Sequence, residues 1–331
     1  MSEILVHVIR GEEIEGCHHG DLVVVDWQNN ILKQVGDPNR LTYWRSGAKP
    51  FQLLPLLENG AIERFGFTKE EIAMMVSSHG GEEEHVRLIE KILQKIGCQE
   101  DELDCGFAPP LHSKTASEIL RRGEEYTKFH HNCSGKHTGM LALIKLMGLS
   151  TKNYISQEHP IQKLMLSNIA HCLEIPENQV KVATDGCGVP VFGCPIRQMA
   201  LAYAKLTVPE KAFIGEKAKA ARIVQEAMTT QPFYVAGTGR IDTALMEVTG
   251  GRILAKLGAE AVYNVGIKDQ GIGVCLKIDD GSFRAIDPVI VKLLNDMGFL
   301  TKKEFSLLEK FYRPLLKNHR GEIIGYLEAV F

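Results

Sequence analysis

Apolar positions alternate or run together at both ends of the chain and recur with helical spacing between them. Residues 3–10 read as a strand. Residues 21–26 and 31–35 read as two more, joined around Asn29-Asn30, a favoured hairpin turn. Gly36-Asp37-Pro38 ends that run. Phe51, Leu53, Leu54 and Leu57 then fall on a helical face that closes near Gly60, with Pro50 in the first turn, where its missing N–H costs least. Residues 68–75 form a second helix whose Thr68 and Glu71 have capping-box spacing. Residues 82–96 are amphipathic, with Val86, Ile89, Leu93 and Ile96 on one face and Gly97 as the stop. Further helices are expected over 113–122, 141–147, 160–173, 192–204, 216–228 and 288–297. Strands are expected over 261–267, 272–278 and 322–331.

Strands at both ends and helices in the middle predict an α+β fold. One antiparallel sheet is built from both chain ends and flanked by helices, with a helical lobe inserted. At 331 residues the chain can bury a large core as one unit, with a sheet lobe over 1–45 and 255–331 and a mainly helical lobe over 46–254. Five polar, glycine-rich stretches interrupt the pattern, at 45–52, 76–81, 130–140, 184–190 and 236–243. They fall where helices leave the sheet or the lobe begins, so a cleft between the lobes is expected to gather them.

Composition narrows the field. Hydrophobic residues at 44% and charged residues at 24% are ordinary for a globular protein. A net charge of −3 gives no footprint for nucleic acid, no basic run suggests a membrane surface, and no apolar run approaches the ~20 residues needed to span a bilayer. The N-terminus enters a strand directly, and the expected location is cytoplasmic. Eight cysteines are scattered without a C-x-x-C pair, so reduced thiols are expected. Cys172 and Cys275 lie in apolar periodic segments and read as core. Cys133 and Cys187 have polar, glycine-rich neighbours.

The polar stretches carry the candidate chemistry. Ser46 and Lys49 form the chain's one S-x-x-K. Positions three apart share a helix face, so hydroxyl and amine can lie side by side as nucleophile and base. One such match is also what chance supplies, so its weight comes from context. Lysine serves as base when burial or a second cation lowers its pKa, and Lys136 and Lys256 both sit beside glycine-rich turns. Lys256-Leu257-Gly258 is similar to the K-T-G element that accompanies S-x-x-K in penicillin-binding proteins and β-lactamases; a solvated turn lysine is the alternative. His130, His131 and His137 are candidate bases or ligands. Cys133 and Cys187 are candidate thiol nucleophiles, a thiolate pair on zinc, or core residues, and their spacing is no zinc signature. Asp185, Arg240 and Asp242 could hold a zwitterion, carboxylate on arginine and ammonium on carboxylate, or could be structural ion pairs.

Taken together, the stretches resemble a known family. R-S-x-A-K-P at 45–50, S-H at 78–79, N-C-S-G-K-H-x-G-M at 132–140, E-H-P at 158–160, T-D-G-C-x-x-P at 184–190, A-G-x-G-R at 236–240 and K-x-G-A-x-A-x-Y at 256–263 are similar to the Rhizobium etli-type, or class 3, L-asparaginases. The resemblance runs from about Val8 to Ile278. It implies a fold like that of serine β-lactamases and glutaminases, and hydrolysis of L-asparagine to L-aspartate and ammonia through an acyl-enzyme. It implies two Ser–Lys pairs, Ser46 with Lys49 and Ser78 with Lys256, and a metal site, usually zinc, made by Cys133, Lys136 and Cys187. It also implies a homodimer. Arg45, His137, Asp185 and Arg240 are the expected substrate-positioning residues. Ser46 is the favoured nucleophile because its base is on the same face, with Ser78 as proton relay or attacking group. Gly47 after Ser46, and Gly80-Gly81-Glu82 after Ser78-His79, depart from the family pattern. The rival readings are a glutaminase or penicillin-recognising hydrolase on a similar fold, a cysteine amidohydrolase, and a non-catalytic amino-acid-binding protein.

Overall fold

A computed structural model describes residues 2–331. Eleven strands are present among them: β1 (Glu3–Arg10), β2 (Glu13–Asp26), β3 (Ile31–Val35), β4 (Leu41–Tyr43), β5 (Lys181–Thr184), β6 (Pro190–Pro195), β7 (Ile253–Gly258), β8 (Val262–Ile267), β9 (Ile272–Ile278), β10 (Leu315–Lys317) and β11 (Ile323–Ala329). Eight build one antiparallel sheet in the order β10-β11-β1-β2-β9-β8-β7. The eighth, β3, pairs with β2 beyond the end of β1. The sheet therefore draws on both ends of the chain, as the strand pattern predicts. Successive side chains in β2 point to opposite faces. Val23 and Val25 join the larger core under the helices, and Leu22 and Val24 join a second core on the other face.

The longer helices are α1 (Lys69–Met75), α2 (Glu83–Ile96), α3 (Ser113–Arg121), α4 (Ser134–Met147), α5 (Pro160–Leu173), α6 (Ile196–Leu206), α7 (Gly215–Thr230), α8 (Ile241–Val248) and α9 (Ile286–Asp296). α6 lies in the larger core, on the side of the sheet that faces the inserted helices. α9 covers the opposite face with Ile286, Val289, Ile290 and Leu293. The capping box at Thr68 and Glu71 forms as its spacing predicts, and Gly97 stops α2 in the left-handed conformation at φ 69°.

Five local expectations need correction. α4 begins at Ser134, seven residues before the expected start. Its first two turns are polar yet buried, so no amphipathic stripe marks them. Phe192 lies in β6, and the helix starts only at Ile196; a fully buried run has no period to tell strand from helix. β6 is the centre of a second, three-stranded sheet in the order β4-β6-β5, which the apolar pattern does not show because β4 and β5 are short and mostly exposed. Lys256 sits within β7 rather than in a turn ahead of a strand. β2 is also longer than expected: its first half, through Gly16 and His19, pairs with β1 across an exposed polar hairpin.

Candidate active site

A cleft of about 680 Å³ opens between the sheet edge at β7 and the inserted helices. The stretch Arg45–Ala48 forms a tight 3-10 turn at its floor. Several contacts fix that turn. Trp44 stacks on Phe51 at 4.9 Å between centroids and donates its indole N–H to Asn264 Oδ1 at 3.0 Å. Tyr203 donates its hydroxyl to Gly47 O at 2.9 Å. Gly47 is required here: a Cβ would collide with the Asn264 side-chain amide and stand 2.6 Å from the Trp44 ring. The end of β7 packs just as closely, since a Cβ on Gly258 would lie 2.9 Å from Trp44 O and 3.4 Å from Gly47 N. Arg45 adopts φ 51°, a left-handed conformation that is costly for a residue with a side chain and that recurs at functional turns.

Ser78 follows α1 and is held by its own amide, which donates to Val235 O at 2.9 Å. Its hydroxyl oxygen lies 3.0 Å from Lys49 Nζ and 2.9 Å from Lys256 Nζ. Both lysines are buried. Lys49 also donates to the carbonyls of Ser77 and Asn132, and Lys256 to Leu257 O at 3.1 Å. Burial, and then the neighbouring Lys49 cation, pull the Lys256 amine down to about 7 from its ordinary 10.5. Burial also lowers Lys49. The expected pairing of Ser46 with Lys49 is therefore rearranged. A buried amine needs acceptors, and Lys49 finds them at Ser77, Ser78 and Asn132 rather than at Ser46. Ser46 lines the cleft beside Ser78. Its backbone N–H, and that of Ala259 just past β7, find no carbonyl partner among the described residues.

A second group sits against the first. Cys133 caps the start of α4, Lys136 lies in its first turn, and Asp185 and Cys187 share the turn between β5 and β6. The ligand atoms of Cys133, Asp185 and Cys187 all lie within 4.8 Å of one another, and none of the cysteines is in a disulfide. Lys136 Nζ lies 2.9 Å from Cys187 Sγ and 3.5 Å from Asp185 Oδ2. Burial opposes the Lys136 charge, but Cys187, Cys133 and Asp185 outweigh it and hold the amine above its ordinary range. The two thiols are displaced in opposite directions. A hydrogen bond from Cys187 lowers the Cys133 thiol, with Lys49 and Lys136 adding to it, while Cys187 is raised. Two sulfurs and a carboxylate, with an amine alongside, are a donor set that suits a tetrahedral zinc-type cation. Asp185 joins the expected Cys133, Lys136 and Cys187 as a further candidate donor, and Lys136, 2.9 Å from Cys187 Sγ, must lose its proton to ligate.

The expected residues separate clearly. Arg45, Ser46, Ser78, Cys133, Asp185, Cys187 and Arg240 line the cleft, while Lys49, Lys256 and Lys136 lie just beneath it. His137 does not line it. It is wholly buried on the inner face of α4, with Nδ1 2.6 Å from the Tyr154 hydroxyl, and burial followed by the Lys136 charge keeps it neutral, well below its usual range. Asp185 is spent on Arg45, at 2.9 Å, and on Lys136. Asp242 is buried and accepts the Leu257 amide at 2.6 Å, fixing the strand that carries Lys256. Asn132 and Ala259, motif positions to which the sequence assigned no role, also lie in the cleft wall, and Asp287, there too, was missed. Asp287 opens an ordinary-looking amphipathic helix, and no local signal distinguishes it.

Among solved structures, a protein from Bacteroides dorei DSM 17855 proposed to be a β-lactamase aligns at 13% identity, covering 83% of this chain and 93% of its own, with a TM-score of 0.43. A β-lactamase from Mycobacterium bovis aligns at 9% identity over 88% of this chain and 95% of its own, with a TM-score of 0.40. No curated sequence matches the chain significantly. The family model described as L-asparaginase II matches residues 6–329. With nearly its whole length matched, the chain belongs to the L-asparaginase II family of amidohydrolases.

Proposed function

We propose that the protein is an L-asparaginase of the Rhizobium etli type, releasing ammonia from L-asparagine through a serine acyl-enzyme. The observation that carries this reading is Ser78 Oγ set between two buried amines, at 3.0 Å from Lys49 and 2.9 Å from Lys256. With its amine near 7, Lys256 is neutral often enough at physiological pH to take the Ser78 proton. Ser78 Oγ attacks the side-chain amide carbon as its proton passes to Lys256 Nζ. The amides of Ser46 and Ala259, cleft-lining residues without carbonyl partners, receive the negative charge on the amide oxygen. Lys256 returns the proton to the departing nitrogen, the C–N bond breaks and ammonia leaves. Water then cleaves the aspartyl ester, giving its proton to Lys256, and Ser78 is regenerated. Lys49, held on the Ser77 and Asn132 carbonyls, stabilises the charge that develops on Ser78. A zinc ion would be held by Cys133, Cys187 and Asp185, where it would supply a fixed positive charge and a Lewis acid facing the substrate.

One observation favours a second reading, in which Ser46 attacks: it lines the cleft and its amide has no carbonyl partner. Ammonia release separates the two. L-asparagine, L-glutamine, D-asparagine and a β-aspartyl peptide are offered to the protein and to Ser78→Ala and Ser46→Ala, with and without added zinc. The expected result is selective turnover of L-asparagine, lost by at least about 10³-fold in Ser78→Ala and reduced less in Ser46→Ala. Full activity in Ser78→Ala would sink the assignment.

A further inference from the structure

The cleft carries charge that the proposed chemistry does not use. Arg45 and Asp185 are paired with one another, and Arg284 at the rim donates to His18 Nε2 at 2.9 Å. Two charged groups in the wall remain unpaired. They are Arg240, the residue that caps α8, and Asp287, in the first turn of α9. Among the described residues neither takes part in an ion pair within 4.0 Å, and Asp287 accepts no hydrogen bond that would steady its charge. Burial, and then the wholly buried Asp242 behind it, push the Asp287 carboxyl up to about 7, with Arg240 pulling the other way. A half-buried carboxyl in the cleft wall without a protein partner is steadied by a cation arriving from the cleft. Asp185 and Asp242, the other acids near the site, cannot serve. The first is occupied by Arg45 and Lys136, and the second is buried on the Leu257 amide.

We infer that Asp287 receives the α-ammonium of the substrate and Arg240 its α-carboxylate, which makes the cleft selective for free α-amino acids over substrates whose amine is missing or acylated. The two residues open adjacent walls of one cleft, with Ile241, Ile286 and Leu257 as an apolar surface for the aliphatic carbons. This assignment rests on the amidohydrolase reading and adds to it the group that recognises the amine.

The test compares L-asparagine with succinamate, the same amide without the ammonium, in the wild type, Asp287→Asn and Asp287→Glu. The wild type is expected to prefer L-asparagine strongly. Asp287→Asn should raise KM for L-asparagine roughly 10- to 100-fold, leave kcat within about threefold, and reduce the preference over succinamate by the same factor as the rise in KM. Asp287→Glu should recover part of it. Residual succinamate turnover reports that the variant is folded and its serine chemistry intact. Equal losses on both substrates, or an unchanged KM, would overturn the assignment. If the wild type released ammonia from neither, the amidohydrolase reading would fail. Calorimetry would still decide the subsite: binding of L-aspartate but not succinate, abolished in Asp287→Asn, supports it, and equal binding of both contradicts it.

Discussion

Lys256→Met is the substitution whose consequences the structure specifies most fully. Lys256 is wholly buried, and its amine falls from 10.5 to about 7. At pH 7 that raises the neutral fraction from about one in 3,000 to about one half, so burial makes the base roughly 10³-fold more available. In the wild type kcat/KM should rise about tenfold per pH unit up to about 7 and then level. Methionine fills similar volume without a base, and kcat should fall by about 10³-fold or more. Stability should move the other way. Between about 7 and 10.5 the unfolded chain holds a proton on Lys256 that the folded protein does not, so wild-type stability rises with pH through that window and is lowest below 7. At pH 7 the burden is about 4–5 kcal/mol. Losing the bonds to Ser78 and Leu257 O returns about 1 kcal/mol each, leaving the variant about 2–3 kcal/mol more stable. Urea unfolding at several pH values from 6.5 to 10, beside ammonia release, measures both, with pH values about half a unit apart being sufficient. A variant that is less stable at pH 7, with activity within tenfold of wild type, would refute the reasoning.

Two further predictions concern the neighbouring elements. Added zinc should raise the melting temperature, by the equivalent of about 2.7 kcal/mol at a hundredfold excess over Kd, and Cys187→Ser should abolish that shift; an equal shift in the variant would exclude the Cys133–Asp185–Cys187 group as the site. Gly47→Ala forces a methyl against Asn264 and Trp44, so thermal unfolding should show a loss of about 1–3 kcal/mol together with reduced kcat, and an unperturbed variant would mean that this packing does not set the Ser46 turn.

The sheet was legible because short, β-branched apolar runs over 21–26, 262–267 and 272–278, bounded by turn residues, mark strands buried on both faces, and the helices over 83–96 and 215–230 because they carry one apolar stripe. The start of α4 was not, because Lys136 and His137 are polar side chains buried by tertiary packing rather than by periodicity. The site was legible as an ordered set of polar stretches that the fold brings into one cleft. Its pairing was not. Spacing along a helix puts Ser46 near Lys49, but where a four-carbon amine goes depends on which carbonyls it meets, and these come from residues 77 and 132. Asp287 was invisible for the same reason: its role depends on what fails to pair with it in three dimensions.

The account rests on Ser78 as the attacking group, and the acyl-enzyme tests this most directly. The protein is mixed with L-asparagine, quenched in acid within the first turnover, digested with trypsin and read by mass spectrometry. Ser78 and Ser46 fall on different tryptic peptides, because Arg64 and Lys69 separate them. An aspartyl ester on the Ser78 peptide, absent in Ser78→Ala and accumulating in Lys256→Met only if another base substitutes, is the predicted result. The ester on the Ser46 peptide, with turnover persisting in Ser78→Ala, would contradict it.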